Sequence, residues 1–176
     1  VSITPDGLVV VVLTRRWSDT GSLYIFSRNL LECYFSLVQK FEDQYINWGN
    51  SNFALSADGT TLIYGAACSS SSFGRGKRAV YINSRKSRID KFYLQQRLDG
   101  KKGEYFGYRL DVSSCGNLLV ISAPYASPEP LLNAGSLHVF IRGKDENFTH
   151  SNQIDGVCDH ENLGYHSINL HASDTG

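Results

Sequence analysis

The histidines near the end of the chain are the first place to look for metal or acid–base chemistry. His160 and Glu161 are adjacent, and His166 follows six residues after His160. The zinc-binding helix of a metalloprotease needs two histidines four residues apart, so that both lie on one face. A spacing of six does not match that pattern, and we interpret this segment as an ordinary connection.

Three short turns offer carboxylates that could bind calcium. They cover residues 4–7, 56–59 and 113–116, and each contains at most one carboxylate, such as Asp58 in the second turn. Calcium takes six to eight oxygen ligands, several of them carboxylates. An Asp-Gly pair is also typical of a tight hairpin turn. We therefore expect no metal ion and no cofactor.

Nucleophilic chemistry has little support in the sequence. The serines of residues 69–72 and the glycines that follow them form neither a phosphate-binding loop nor a Gly-x-Ser-x-Gly elbow. The four cysteines, at 33, 68, 115 and 158, are far apart and include no Cys-x-x-Cys pair. Whether they form disulfides stays open, and we expect the chain not to be an enzyme.

Positive charge is concentrated in the middle of the chain. Residues 75–102 contain ten Lys or Arg residues and two acidic residues, although the net charge of all 176 residues is zero. Such a segment suits an acidic protein surface or a sulfated glycan. Few aromatic side chains alternate with the charges, so we do not expect nucleic acid. The candidate binding residues are Arg75, Lys77, Arg85, Lys86, Arg88 and Lys91.

Two features bear on the cellular location. Asn147-Phe148-Thr149 is an N-glycosylation sequon, so Asn147 is a candidate glycan site. No apolar run approaches the roughly 20 residues that a membrane-spanning helix needs.

An internal repeat determines the predicted fold. The segments that begin at Gly21, Arg78 and Gly135 match one another at steps of 57 residues, and the glutamines 39, 96 and 153 share that step. The glycines of the three turns recur at steps of 52 and 57. Such periods are typical of propellers and other repeat architectures.

Each repeat predicts four strands, A to D, with the turn glycine between strands A and B. Strand C has apolar residues on both faces, which indicates a sheet packed on both sides. Residues 30–41 alone would also fit an amphipathic helix. We expect their second half to form strand D, because the repeat register places it there.

The third repeat resembles the FG-GAP repeat of integrin α-like propellers. Phe106-Gly107 matches the first motif, and Ser122-Ala123-Pro124 matches the second with serine in place of glycine. The resemblance implies an all-β fold of about three four-stranded antiparallel blades that belong to a larger propeller. The predicted blades are residues 1–47, 48–105 and 106–163, with a fourth beginning at 164–176.

The resemblance also implies a function. We expect a non-catalytic interaction or structural module of a secreted or cell-surface protein, in an extracellular location. Its partners would be other protein chains or glycans, bound at the loops between strands B and C. Those loops contain Trp17, Phe73 and Tyr125. The alternatives are an accessory propeller of an enzyme and a structural subunit of a filament or large complex.

Two expectations concern packing. Trp48, Phe106 and Leu163 share one repeat position before a glycine, and we expect all three to be buried between blades. Three blades do not close a propeller, which typically needs four to eight. We therefore expect the end blades to pack against a longer polypeptide or an oligomeric assembly.

Overall fold

The computed structural model describes residues 1–15, 21–31, 33–42, 46–47, 52–68 and 78–170. The side chains of residues 15, 21, 46, 47 and 66–68 are left out of the description. Within these ranges the chain is all-β and contains no helix.

The strands form three antiparallel sheets, which are the three blades. The first sheet has the order β1-β2-β3-β4, and the third has the order β10-β11-β12-β13. In the second sheet β5 and β6 both pair with β7, which is followed by β8 and β9. The strands are β1 (Ser2–Ile3), β2 (Val9–Arg15), β3 (Gly21–Ser27), β4 (Ser36–Glu42), β5 (Ile46–Asn47), β6 (Phe53–Leu55), β7 (Thr61–Cys68), β8 (Arg78–Ser84), β9 (Tyr93–Asp99), β10 (Leu110–Val112), β11 (Leu118–Ala123), β12 (Ser136–Arg142) and β13 (Phe148–Asp155).

The blades pack face to face with their first strands together. Strand β6 lies against both β1 and β10, so the inner strands of the three blades converge. One apolar cluster lies between the first and second blades and includes Val11, Ile25 and Leu62. A second cluster lies between the second and third blades and includes Ile82, Phe106 and Ile121. The predicted fold class is confirmed, whereas the residue boundaries between blades stay a prediction.

A glycine allows the second and third blades to approach closely. Gly107 has a φ of 81°, which is rare for residues with a side chain. A Cβ atom there would lie 2.8 Å from a methyl carbon of Val80. The preceding Phe106 is 5% exposed, which confirms the expected burial at that position. Leu163 is only half-buried, and Trp48 lies outside the described residues.

Two sequence interpretations meet different outcomes. The second half of residues 30–41 is in strand β4, as the repeat register predicts.

The predicted equivalence of the glutamines 39, 96 and 153 is wrong by one residue in the third blade. Gln39 and Gln96 lie opposite Ile25 and Ile82, but Asn152 takes that position opposite Val139. Eight residues separate the paired residues Ser84 and Tyr93, whereas seven separate the matching pair Ile141 and Thr149. The connection is thus one residue shorter in the third blade, and equal spacing does not give equal position.

Candidate functional site

The middle of the basic segment lies at the end of the blades that contains the turns of residues 4–7, 56–59 and 113–116. We call this end of the blades the turn end. Arg85 is 4% exposed, its Nε donates to the carbonyl of Gly59 at 2.7 Å, and its guanidinium lies 4.4 Å from the Phe92 ring centroid. Burial lowers the pKa of Arg85 to about 10. Arg88 donates to the carbonyl of Asp58 at 2.9 Å and forms an ion pair with Asp6. Both arginines therefore hold turns in place.

The arginine contact is part of the repeat. Arg28 and Arg142 each donate through Nε to a turn glycine carbonyl, Gly7 and Gly116, at 3.0 Å. Their guanidinium groups lie over Phe35 and Phe148. The position thus has a structural role in all three blades.

Other candidate binding residues from the sequence have varied positions. Lys86 and Lys91 are exposed at the turn end, so they remain candidates for binding a partner. Asn147 is half-buried in the turn before β13, and its amide donates to Asp145 at 2.9 Å. Arg75, Lys77, Trp17 and Phe73 lie outside the described residues. Tyr125 belongs to the cluster described next.

Four tyrosines meet at the opposite end of the blades. Tyr105 and Tyr108 lie on the connection between β9 and β10, Tyr125 follows β11, and Tyr165 lies in the segment after β13. The ring centroids of Tyr105 and Tyr125 are 4.8 Å apart, and the Tyr108 and Tyr165 rings stack at 5.0 Å. Tyr125 and Tyr165 join the two pairs at 6.2 Å. We call this group the tyrosine cluster.

The hydroxyls of Tyr108 and Tyr125 remain protonated at neutral pH. Burial raises the pKa of Tyr108, and a hydrogen bond with Tyr165 adds to the effect. Burial also raises the pKa of Tyr125, with a further contribution from Tyr165. Because a protonated phenol is a hydrogen-bond donor as well as an acceptor, the cluster can bind hydroxyl or carbonyl groups.

Two arginines border the tyrosine cluster. Arg78, the first residue of β8, is 5% exposed, and its guanidinium lies 4.3 Å from the Tyr105 ring centroid. Its buried Nε has no hydrogen-bond partner among the described residues. Burial lowers the pKa of Arg78, and Tyr105 and Tyr108 partly oppose that shift. Arg109 lies 4.9 Å from the Tyr108 ring and donates to the carbonyl of His166 at 3.0 Å.

A buried cationic donor without a partner calls for an explanation. Arg85 Nη2 is a second such atom, but Nε and Nη1 of Arg85 are bonded to the carbonyls of Gly59 and Arg88. Guanidinium groups bind carboxylates and phosphates through paired hydrogen bonds. Arg78 is therefore suited to hold an anionic group beside the tyrosine rings. The matching repeat positions, 21 and 135, are glycines, so this arginine does not belong to the repeated framework.

A small polar cleft adjoins the cluster. It measures about 60 Å³ and is lined by Lys101, Glu104, Ala126, Ser127, Pro128, Ser136, His138 and Gln153. Glu104 precedes Tyr105 in the chain, and Ala126 follows Tyr125. The buried Nε2 of His138 has no hydrogen-bond partner among the described residues. Burial, followed by the charge of His150, lowers the pKa of His138. The cleft has room for about two water molecules.

Metal chemistry has no structural support in the described ranges. There, no group of three or more His, Cys, Asp or Glu side chains could hold a metal ion. The described residues also contain no helix that is long and apolar enough to cross a membrane. Cys33 and Cys158 are exposed free thiols.

Sequence reasoning identified Tyr125 as a candidate binding residue but missed the other three tyrosines of the cluster. One signal for it was present, because Tyr108 and Tyr165 each follow the glycine of their repeat at a spacing of 57. The contacts of Tyr105 and Tyr125 depend on the approach of two blades, which spacing alone does not show.

The chain matches no protein-family model and no curated protein sequence. It is similar in fold to solved structures. One, from Bacteroides uniformis and provisionally named a 6-phosphogluconolactonase, has a TM-score of 0.60 and 14% identity over 90% of this chain and 40% of its own. A protein of the same provisional name from Bacteroides fragilis has a TM-score of 0.60 and 13% identity, over 90% and 38%. The periplasmic gluconolactonase of Pseudomonas aeruginosa has a TM-score of 0.56 and 11% identity, over 88% and 39%.

These similarities correct the resemblance to integrin α-like propellers, which is wrong. At 11–14% identity they show the fold alone, and this chain spans about two fifths of each structure. The motifs that suggested FG-GAP repeats have a packing origin. Gly107 permits close approach of blades and Phe106 fills the space between them, as a propeller of another family also requires.

The function predicted from the sequence is corrected by the same comparisons. The sequence predicted a non-catalytic interaction or structural module of a secreted or cell-surface protein and a chain that is not an enzyme; both predictions are wrong. The three solved structures described above are instead named as a gluconolactonase and two provisional 6-phosphogluconolactonases.

Proposed function

We propose that this chain forms part of a lactone-hydrolysing propeller and that its substrate, an anionic sugar lactone, binds at the tyrosine cluster. The observation that carries the proposal is Arg78, a buried cation with an unpartnered Nε beside stacked tyrosines. The names of the structures with this fold support the reaction class. Because those structures are much longer, the activity proposed is that of the whole protein.

The reaction adds water to the lactone carbonyl and breaks the ring C–O bond, which yields a hydroxy acid. Arg78 would bind the anionic group of the substrate through charge-assisted hydrogen bonds. The protonated hydroxyls of Tyr108 and Tyr125 would donate to the carbonyl oxygen, on which negative charge develops during attack. Aromatic rings would also provide an apolar surface for the sugar ring.

The adjoining cleft would supply the attacking water. His138 is held neutral by its lowered pKa and can accept a proton through its unpartnered Nε2. Glu104 is a second candidate base, and its carboxylate lies 3.7 Å from the Lys101 ammonium. The His138→Gln and Glu104→Gln variants would identify which of the two residues acts as the general base.

The test is hydrolysis of 6-phosphogluconolactone and of uncharged gluconolactone by the full-length protein, measured above the uncatalysed rate. We expect Arg78→Ala to raise KM for the phosphorylated lactone by roughly 10–100-fold, the loss of one charge-assisted contact. The uncharged lactone should be affected less. Arg78→Lys tests the need for a planar guanidinium, and Lys86→Ala, at the turn end, is the control. No hydrolysis of either lactone by the wild-type protein would refute the proposal.

Export forms part of the same proposal. One of the solved structures with this fold is a periplasmic enzyme, which supports an exported location at a coarse level. A finer placement, extracellular or at the cell surface, would give the Asn147 sequon a use. Cell fractionation and mass spectrometry of the peptide that contains Asn147 would test both points.

Binding of an acidic partner at the turn end is a separate proposal. It depends on Lys86 and Lys91, which are exposed. An acidic protein surface or a sulfated glycan suits these side chains. Their location, distant from the tyrosine cluster, would leave the proposed active site open.

A further inference from the structure

Tyr105 is a bulky residue at a backbone position that suits asparagine. Its φ is 61°, in the left-handed region that large side chains rarely adopt. The matching repeat positions, 47 and 162, are asparagines, and asparagine adopts this region more readily. Asn162 has a φ of 54°. The carbonyls of Tyr105 and Asn162 each accept from the N–H three residues later at 3.0 Å, so the same turn forms with either residue.

The residue that Tyr105 contacts also departs from the repeat. Gly135 occupies the repeat position of Arg78, and a Cβ atom there would lie 2.3 Å from the Leu163 nitrogen and 2.9 Å from the Asn162 carbonyl carbon. A glycine therefore packs directly against the Asn162 turn. One repeat earlier, a guanidinium and a tyrosine ring make that contact, 4.3 Å apart. The two departures from the repeat thus meet each other.

The Tyr105 ring holds Arg78 without using its N–H groups. The arginines of the turn end also lie over aromatic rings, but each donates to a glycine carbonyl as well. Among the described residues the Arg78 side chain makes no hydrogen bond. A ring contact orients a guanidinium and leaves its five N–H donors for another group.

The turn itself does not explain the tyrosine. Asn162 forms the same turn without an aromatic ring, and a left-handed backbone is unfavourable for a tyrosine. Residues held in such conformations cluster at binding and catalytic sites. The ring of Tyr105 also packs 4.8 Å from the Tyr125 ring, so it connects Arg78 to the tyrosine cluster.

We propose that Tyr105 is a positioning residue for anion binding, whose ring fixes the Arg78 guanidinium and leaves its N–H groups to the ligand. The inference rests on the proposed function, from which it takes the site and the phosphorylated lactone. Tyr105 acts through Arg78, and its hydroxyl has no part in this role.

The first test is the kinetics of the full-length protein on 6-phosphogluconolactone. We expect Tyr105→Asn, which introduces the residue of the matching positions, to raise KM by about 3–30-fold, the loss of one desolvated cation–π contact. The value of kcat should stay within about twofold, because the effect is on binding. Tyr105→Phe keeps the ring and should keep the wild-type KM. Tyr93→Asn, at an exposed tyrosine of β9, is the matched control.

A double variant tests whether Tyr105 acts through Arg78. In the Arg78→Ala background, Tyr105→Asn should raise KM by less than about twofold, because the contact is already lost. The Tm of Tyr105→Asn should not decrease, since relief of the backbone strain offsets the lost ring contacts. A lower Tm with an unchanged KM would make Tyr105 a purely structural residue. An equal rise in KM with and without Arg78 would also overturn the inference.

Inorganic phosphate is a probe that needs no catalysis. It should raise the Tm of the wild-type protein above that in sodium chloride of equal ionic strength, because a ligand of the folded state stabilises it. The shift should persist in Tyr105→Phe and be lost in Tyr105→Asn and Arg78→Ala. If this pattern appears without lactone hydrolysis, the inference stands and the proposed function fails. If the wild type shows no shift, or Tyr105→Asn retains it, the inference fails even where the lactone is hydrolysed.

Discussion

The two ends of the blades use arginine in opposite ways. At the turn end, Arg28, Arg85 and Arg142 recur once per blade, and each is bonded to a glycine carbonyl and lies over an aromatic ring. At the tyrosine cluster, Arg78 occurs once and lies over the Tyr105 ring, and its buried Nε has no partner. Arg85 has one buried nitrogen without a partner, Nη2, but its Nε and Nη1 are bonded to carbonyls. Residues that recur with the blades stabilise the fold, whereas the arginine that departs from the repeat remains available for a ligand.

Phe106 is the strongest test of this division, because it lies next to the tyrosine cluster yet belongs to the repeated framework. We expect Phe106→Ala to lower the free energy of unfolding by about 3–5 kcal/mol, the usual cost of emptying a core phenylalanine site. Urea unfolding measures the change, and Tyr93→Ala, at a site that is 55% exposed, is the control. A loss below about 1 kcal/mol would place Phe106 outside the core that joins the blades.

The next largest expected change in stability is that of Arg85→Ala, which is to be compared with Arg78→Ala. Arg85→Ala removes charge-assisted bonds to the carbonyls of Gly59 and Arg88. We expect it to cost about 2–3 kcal/mol of stability. Arg78→Ala removes a buried charge that lacks a partner at Nε, so stability should change by less than about 1 kcal/mol.

The two arginine variants should differ in whether lactone binding or stability is impaired. Arg78→Ala should impair lactone binding and leave unfolding nearly unchanged, and Arg85→Ala should do the reverse. Equal losses of stability in the two variants would end the contrast between the two ends of the blades.

Acid should weaken the turn end through its aspartates. Burial raises the pKa of Asp58, but hydrogen bonds from Ser56 and Thr60 outweigh it, so the folded pKa lies below the ordinary value of 3.8. A hydrogen bond from Thr4 is the main cause of the lowered pKa of Asp6. A carboxylate with a depressed folded pKa stabilises the protein above its unfolded pKa, and this stability is lost as pH falls through the folded value.

The measurement is the Tm between pH 6 and pH 3. We expect Asp58→Asn to flatten the decrease in Tm below about pH 4. The third turn has Cys115 at the corresponding place, so Cys115→Ser is a control that should leave the pH dependence unchanged. An unaltered profile for Asp58→Asn would show that this carboxylate does not set the acid sensitivity.

The smallest expected effect concerns the exposed lysines. Lys86→Ser with Lys91→Ser should weaken binding to heparin, as a sulfated glycan probe, and flatten its salt dependence, because exposed charges are screened. Stability should change by less than about 0.5 kcal/mol. If binding at low salt is unchanged, the turn end does not bind through these lysines.

Residues at the same repeat position also differ in burial from blade to blade. Gln39 and Gln96 each bond to the backbone of an aromatic residue of the next blade, Phe92 and Phe148. Both phenylalanines are buried, whereas Phe35, at the same position in the first blade, is 39% exposed. The same repeat position is therefore buried or exposed according to its neighbour. This explains why Leu163, in the segment after β13, is less buried than Phe106 in the same repeat position.

The sequence alone determined the blades. Turn glycines at fixed spacing must adopt positive φ, and Gly7, Gly59 and Gly116 have φ values of 69–75°. Strands with apolar residues on both faces then predict sheets that are covered on both sides. These are local requirements of backbone and side-chain burial, so residue spacing reveals them. Spacing did not identify the family, because all propeller blades share these requirements.

Tertiary structure decided which side chains are free. Arg78 and Arg85 lie in the same basic segment, yet one stands at the tyrosine cluster and the other is bonded to a turn. The tyrosine cluster combines residues from two blades and the segment after them. A loop shortened by one residue moved the amide position from Gln153 to Asn152. Contacts between blades depend on where neighbouring backbones meet in space, and the order of residues along one strand does not specify that.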